Sequence, residues 1–81
     1  MNPSAIRQAV IDALSSVAPE GDYDRLRPDR GLREQLDIDS MDYLNALITI
    51  DDRTGVEVPE SDYGDVDTLA KLVAYIAKRA A

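Results

Sequence analysis

The stretch LDIDSMDYL, residues 36–44, sets a serine between aspartates immediately before an apolar-periodic run. A serine there can attack, cap a helix or bear a phosphate-linked group. To attack, Ser40 needs a neighbouring base that removes its proton. The chain of 81 residues has no histidine and no cysteine, and Lys71 and Lys78 lie far along the sequence. Capping suits the residue type, because serine at a helix start accepts a hydrogen bond from an otherwise orphaned N–H. The reciprocal capping box is incomplete, since position 43 is Tyr rather than Glu or Gln. Bearing a phosphate suits the position, because the helix dipole and free N–H groups favour negative charge there. Ser40 therefore reads as a target of modification rather than an attacker, with the cap as the bland alternative.

Composition narrows the field further. Without cysteine there is no disulfide, no thiolate and no cysteine metal site; without histidine the commonest base near neutral pH is missing. An autonomous hydrolase is thereby disfavoured. The carboxylates match no calcium-loop spacing, so no metal site is expected. The net charge of −7 argues against nucleic acid as a partner. That charge is unevenly spread: residues 37–67 hold ten acids and one base, whereas residues 68–81 hold three bases and no acid. The amino-terminal MNPSAIRQAVIDAL is neither a secretory signal nor a membrane span, which predicts a soluble, cytoplasmic chain with no stable membrane insertion. At this length, residues 1–81 are expected to form one domain with a thin stability margin of roughly 3 to 5 kcal/mol.

The elements that must position Ser40 follow from apolar spacing. Residues 4–17 place Ile6, Ala9, Val10, Ala13, Leu14 and Val17 on one helical face behind a Ser4 cap, with Pro19 and Gly21 ending the run. Residues 18–39 show no sustained period, although Tyr23, Leu26, Leu32 and Leu36 can pin them to a core, and a short turn is predicted around Leu32 to Leu36. A connection this long inside a compact domain usually carries function or is disordered. The helical pattern returns from Ser40 to Thr54 and stops at Gly55. After the extended VEVPESDY there is room for one helical turn near residues 60–64. Asp67 or Thr68 then caps a last helix with the stripe Leu69, Leu72, Val73 and Ile76, and Lys78 and Arg79 complement its dipole. The fold class is all-α: a small bundle of three main helices plus one short helix, with a long loop between the first and second main helices.

The second main helix carries two apolar stripes. At about 100° per residue, Tyr43, Leu47 and Ile50 share one face, continued by Thr54. Met41, Leu44 and Ile48 lie on another, rotated by roughly a third of a turn. Asp51 and Asp52 bracket the second stripe, which assigns the first to the core. The second is then either buried as well or a docking ridge with an acidic rim, where carboxylates steer a basic partner and the ridge supplies burial.

In this order and spacing the chain resembles the acyl carrier proteins of the phosphopantetheine-attachment superfamily: an amphipathic first helix, a long loop, LDIDSM opening the second helix, VEVP after it, and VDTLAKLVAYI at the end. The resemblance implies that Ser40 receives a 4′-phosphopantetheine arm from coenzyme A through a phosphopantetheinyl transferase, with Asp39 flanking it for recognition. It implies a partner-facing surface of Met41, Asp42, Leu44, Ile48, Asp51 and Asp52. The arm would supply the thiol that the sequence lacks, on which acyl groups ride as thioesters. A non-catalytic, monomeric carrier is implied, serving a loading ligase or synthase and acyl-processing enzymes with basic docking surfaces. The alternatives are an aminoacyl or peptidyl carrier and an unmodified helical interaction module.

The chain departs from the housekeeping pattern Leu-Gly-x-Asp-Ser-Leu at Asp37, which stands in the glycine position. Asn45 replaces a common glutamate, Arg53 reverses an acidic position, and Thr54 replaces a large core residue, leaving space for cargo or for a neighbour such as Tyr63. These departures predict a carrier dedicated to a specialised lipid, polyketide or other secondary-metabolite pathway.

Overall fold

The computed structural model describes residues 1–80. Three long helices dominate it: α1 (Pro3–Val17), α3 (Ser40–Thr54) and α4 (Leu69–Arg79), with a short α2 (Leu32–Leu36) before α3. A 3₁₀ turn at Tyr23–Arg25 and a 3₁₀ helix at Glu60–Val66 complete the elements, so the expected all-α bundle is observed.

The core is built from the stripes anticipated. Ile6, Val10, Ala13 and Leu14 of α1, Tyr43, Leu47 and Ile50 of α3, and Leu69, Leu72 and Ile76 of α4 are all buried in one cluster. Val17 and Val73 pack against it half-buried. The first helix begins differently from expectation. Asn2, not Ser4, is its N-cap: the Asn2 Oδ1 accepts the Ala5 N–H at 2.8 Å, and Pro3 occupies the first helical position, where its missing N–H costs nothing. Ser4 lies inside the helix. At the last helix Thr68 wins over Asp67, accepting the Lys71 N–H at 3.2 Å, while Asp67 pairs with the Lys71 ammonium at 3.3 Å. The 3₁₀ helix runs two residues beyond the predicted turn.

The long connection is ordered by its own side chains. Gln35 acts as a clasp: its Oε1 accepts the Arg27 N–H at 2.7 Å, and its Nε2 donates to the Arg27 and Arg30 carbonyls at 2.9 and 3.1 Å. Leu26, Leu32 and Leu36 are buried in the common core. The segment is also tied to the start of α4, with the Leu32 N–H donating to the Asp67 carbonyl at 2.9 Å and the Ala70 N–H to Pro28 at 3.0 Å.

Asp37 has a conformational explanation. It ends α2 at φ 53°, ψ 48°, and the Ile38 N–H reaches back to the Arg33 carbonyl at 3.1 Å. That is a Schellman-type stop, whose left-handed residue is ordinarily glycine. Aspartate tolerates the region better than most residues, yet its Cβ is still crowded. Asp37→Gly is expected to raise stability by about 0.5 to 1 kcal/mol, read as a higher urea midpoint at unchanged slope; an unchanged or lower midpoint would show that the Asp37 carboxylate compensates the backbone.

Candidate functional site

The site is the start of α3 and the face that runs from it. The Asp39 side chain accepts the Asp42 N–H at 2.9 Å and its carbonyl accepts the Tyr43 N–H at 3.1 Å, so Asp39 is the N-cap. Ser40 is the first residue inside the helix. This corrects the cap alternative for Ser40, because the capping is done one residue earlier. The Ser40 side chain is exposed and its hydroxyl has no hydrogen-bond partner among the described residues. The first N–H groups of a helix have no intrahelical acceptor, which leaves those of Ser40 and Met41 free at the same helix start.

The two stripes of α3 separate as the helical wheel anticipated. Tyr43 is 6% exposed and Ile50 is fully buried, whereas Met41 is 64% and Ile48 53% exposed. Leu44 is half-buried between them, Asp42 and Asp51 are half-buried, and Asp52 is exposed. An exposed Met and Ile in line on one helix make an apolar ridge, and the carboxylates of Asp42, Asp51 and Asp52 lie on the same helix.

Two clefts flank this ridge. The larger, about 440 Å³, is lined by Ser40, Met41, Tyr43, Leu44 and Tyr63 together with the charged residues Arg33, Glu60 and Asp67. The smaller, about 210 Å³, is lined by Leu44, Leu47, Ile48 and Tyr63 together with Asp51, Glu57 and Val58. Leu44 and Tyr63 are common to both, so they stand between a cleft beginning at Ser40 and one farther along α3. Sequence reasoning missed Arg33, Glu60 and Asp67 as cleft residues, since only the turn at Asp37 and the docking of the 3₁₀ helix bring them there.

Two more of the unusual residues are accounted for by geometry. Arg53 pairs with Asp12 of α1 at 3.5 Å, which ties two helices together. The Thr54 hydroxyl donates to the Ile50 carbonyl at 2.8 Å and accepts the Val56 N–H at 3.2 Å. Thr54 lines neither cleft, so it serves the helix end rather than making room for cargo. Gly55, at φ 74°, supplies the left-handed stop that follows. Nothing in the structure explains Asn45, which is exposed.

Tyr43 anchors α3 across the bundle, its buried hydroxyl donating to the Val66 carbonyl at the end of the 3₁₀ helix. Burial, reinforced by the Asp67 carboxylate and opposed by the Arg33 guanidinium, raises its pKa above the ordinary 10.0. Burial raises that of Tyr23 as well, whose hydroxyl donates to the Ala18 carbonyl at 2.6 Å. A raised folded-state pKa means that the unfolded chain loses its proton first. The stabilisation is therefore complete below about pH 10 and is lost as pH rises beyond it, by at most about 1.4 kcal/mol per pH unit for the buried Tyr43 and by less for the more exposed Tyr23. Tyr43→Phe is expected to cost about 1 to 3 kcal/mol at neutral pH by orphaning the Val66 carbonyl, and to flatten the alkaline decline. Urea midpoints between pH 8 and 11 read both effects; an alkaline slope equal to wild type would refute the tyrosine's part in it.

Among the described residues no group of three or more acidic side chains converges as a metal ion requires, and no helix is long and apolar enough to cross a membrane. An exposed, uncommitted hydroxyl at a helix start, beside a partly apolar cleft, does fit the attachment of a phosphate-linked arm. Comparison with known proteins points the same way. The family described as "Phosphopantetheine attachment site" matches residues 5–76. The meromycolate extension acyl carrier protein of Mycolicibacterium aurum is 28% identical over 78 residues, covering 93% of this chain and 80% of that protein. Its Mycobacterium tuberculosis namesake is 28% identical over 69 residues, 85% of this chain, which spans only 56% of that protein's length. The acyl carrier protein of Lactobacillus johnsonii is 31% identical over 55 residues, covering 68% of this chain and 69% of that protein. A match running through nearly every element of the bundle, with Ser40 inside it, places the chain in the phosphopantetheine-attachment family, among the acyl carrier proteins.

Proposed function

We propose that residues 1–81 act as one acyl carrier, with a 4′-phosphopantetheine arm joined to the Ser40 hydroxyl and α3 presenting the loaded arm to partner enzymes. The observation that carries this reading is the exposed Ser40 hydroxyl, uncommitted because Asp39 takes the capping role. When bound, the arm supplies the thiol on which acyl groups are held as thioesters. The chain itself catalyses no step. Its residues hold, orient and shield: Asp39 fixes the helix start, the first-turn N–H groups face the phosphate, and Leu44 and Tyr63 offer apolar walls to cargo. Each methylene buried between them is worth about 0.8 kcal/mol.

The partners proposed are a phosphopantetheinyl transferase, a loading ligase or synthase, and acyl-processing enzymes, met by a cytoplasmic monomer. The Met41–Ile48 ridge supplies the burial in these encounters. Asp39 flanks the target serine, and Asp42, Asp51 and Asp52 attract a basic surface. Lipid cargo is favoured over aminoacyl cargo by relatives named for meromycolate extension. A dedicated lipid pathway is favoured by the same relatives.

Incubation with coenzyme A and a broad-specificity phosphopantetheinyl transferase, followed by intact mass, tests the attachment. A gain of one phosphopantetheine is expected; no gain with several such enzymes would leave an interaction module instead. On the holo form, Ile48→Lys is expected to lower kcat/KM for loading by about tenfold or more, with an unchanged thermal midpoint because Ile48 is exposed. Loading at the wild-type rate would remove Ile48 from the docking face.

A further inference from the structure

The cleft that Ser40 lines has one basic residue in its lining, Arg33, and two acidic ones, Glu60 and Asp67. Arg33 reaches that position through the stop of α2. Its carbonyl accepts the Ile38 N–H at 3.1 Å, and the left-handed turn at Asp37 leads directly into the start of α3. Arg33 and Tyr43 line the same cleft, and the guanidinium opposes the upward push on that hydroxyl's pKa.

Arg33 is also uncommitted. The ion pairs among the described residues join Arg25 to Asp22, Arg53 to Asp12 and Lys71 to Asp67. Asp67, the acid that shares both neighbouring clefts with Arg33, is thus already engaged by a lysine at 3.3 Å.

A phosphodiester on the Ser40 oxygen would bring a full negative charge into the company of Asp39, Asp42, Glu60 and Asp67. Carboxylates around it raise its energy, and the helix dipole with two free N–H groups offsets only part of that. A guanidinium is the side chain best matched to the rest, because its planar fork can donate two hydrogen bonds to phosphate oxygens at once.

We propose that Arg33 is a positioning residue for the arm, pairing with the phosphodiester on Ser40 and holding the first atoms of the arm over the cleft lined by Met41, Tyr43, Leu44 and Tyr63. This rests on the attachment at Ser40 and adds the cation that anchors it. The pairing fixes the direction in which the arm leaves the protein, toward the Leu44 and Tyr63 walls rather than into open solvent.

The test uses apo and holo forms of wild type, Arg33→Gln and Arg33→Glu, with the arm verified by intact mass and the readouts being thermal midpoint and the ³¹P resonance. The apo midpoints of wild type and Arg33→Gln are expected to agree, since the side chain is exposed. The holo-minus-apo difference is expected to be lower in Arg33→Gln by about 2 to 4 °C and lower again in Arg33→Glu. The wild-type difference should shrink between about 0.05 and about 0.5 M salt, and the ³¹P shift should move with the substitution. Equal holo-minus-apo differences and one common ³¹P shift in the three proteins would overturn the proposal while leaving attachment intact. Absence of the mass gain in all three would instead overturn attachment, and Arg33's role with it.

Discussion

Ser40→Ala is expected to abolish the phosphopantetheine mass gain completely while leaving the unfolding midpoint within about 0.5 kcal/mol of wild type. The two halves of that result have separate physical origins. Loss of the mass gain follows because no other hydroxyl stands at the start of α3. Unchanged stability follows because the Ser40 hydroxyl makes no hydrogen bond among the described residues and the N-cap is Asp39. Alanine in the first turn is, if anything, the better helix former. Asp39→Ala is the informative companion: removing a real cap costs about 1 kcal/mol, so it should lower the midpoint where Ser40→Ala does not. A loss of 1 to 2 kcal/mol in Ser40→Ala would return the serine to a capping role. A retained mass gain would mean that another residue carries the arm.

Ile50→Ala is expected to be the most damaging single change in α3. Ile50 is fully buried in the common cluster of α1, α3 and α4. Removing three carbons there forfeits their burial and leaves a cavity that the surrounding helices fill only in part, at a cost of about 3 to 4 kcal/mol. Against a total on the order of 5 kcal/mol for a domain of this size, that consumes most of the margin. The thermal midpoint should fall by roughly 15 to 25 °C. Ile48→Ala, two positions away, removes the same atoms from a side chain that is 53% exposed, and should stay within about 0.5 kcal/mol. Equal losses in the two variants would mean that both stripes of α3 are core, and would withdraw the docking ridge.

The stripes were legible because helical periodicity is written in residue type: Tyr43, Leu47 and Ile50 recur at a spacing that only one face of a helix can hold. The Gly55 stop was legible for the same local reason. The N-caps were read one or two positions late at both α1 and α3, since Asn2, Ser4, Asp39 and Ser40 are all competent caps and only the backbone angles choose among them. Asp37 could be seen as unusual but not explained, because a positive φ is a property of the turn rather than of the residue. The clasp made by Gln35 was invisible. A glutamine eight residues from Arg27 announces nothing until the intervening chain has folded over it. The part of the candidate site on α3 was therefore readable, and the part supplied by α2 and the 3₁₀ helix was not.

The ties between the long connection and α4 also govern when the site comes into being. The Leu32–Asp67 and Ala70–Pro28 hydrogen bonds join residues 35 and 42 positions apart, so neither rewards the chain until most of it has been gathered. The pairing of α1 with α3 spans a similar separation, 41 positions between Asp12 and Arg53. The segment carrying Arg33 and Asp37 gains its anchor only once α4 has docked. A chain in which α4 has not docked therefore lacks the neighbouring wall of the cleft. The surroundings of the serine are thus a product of the whole fold, although the serine itself belongs to α3 alone.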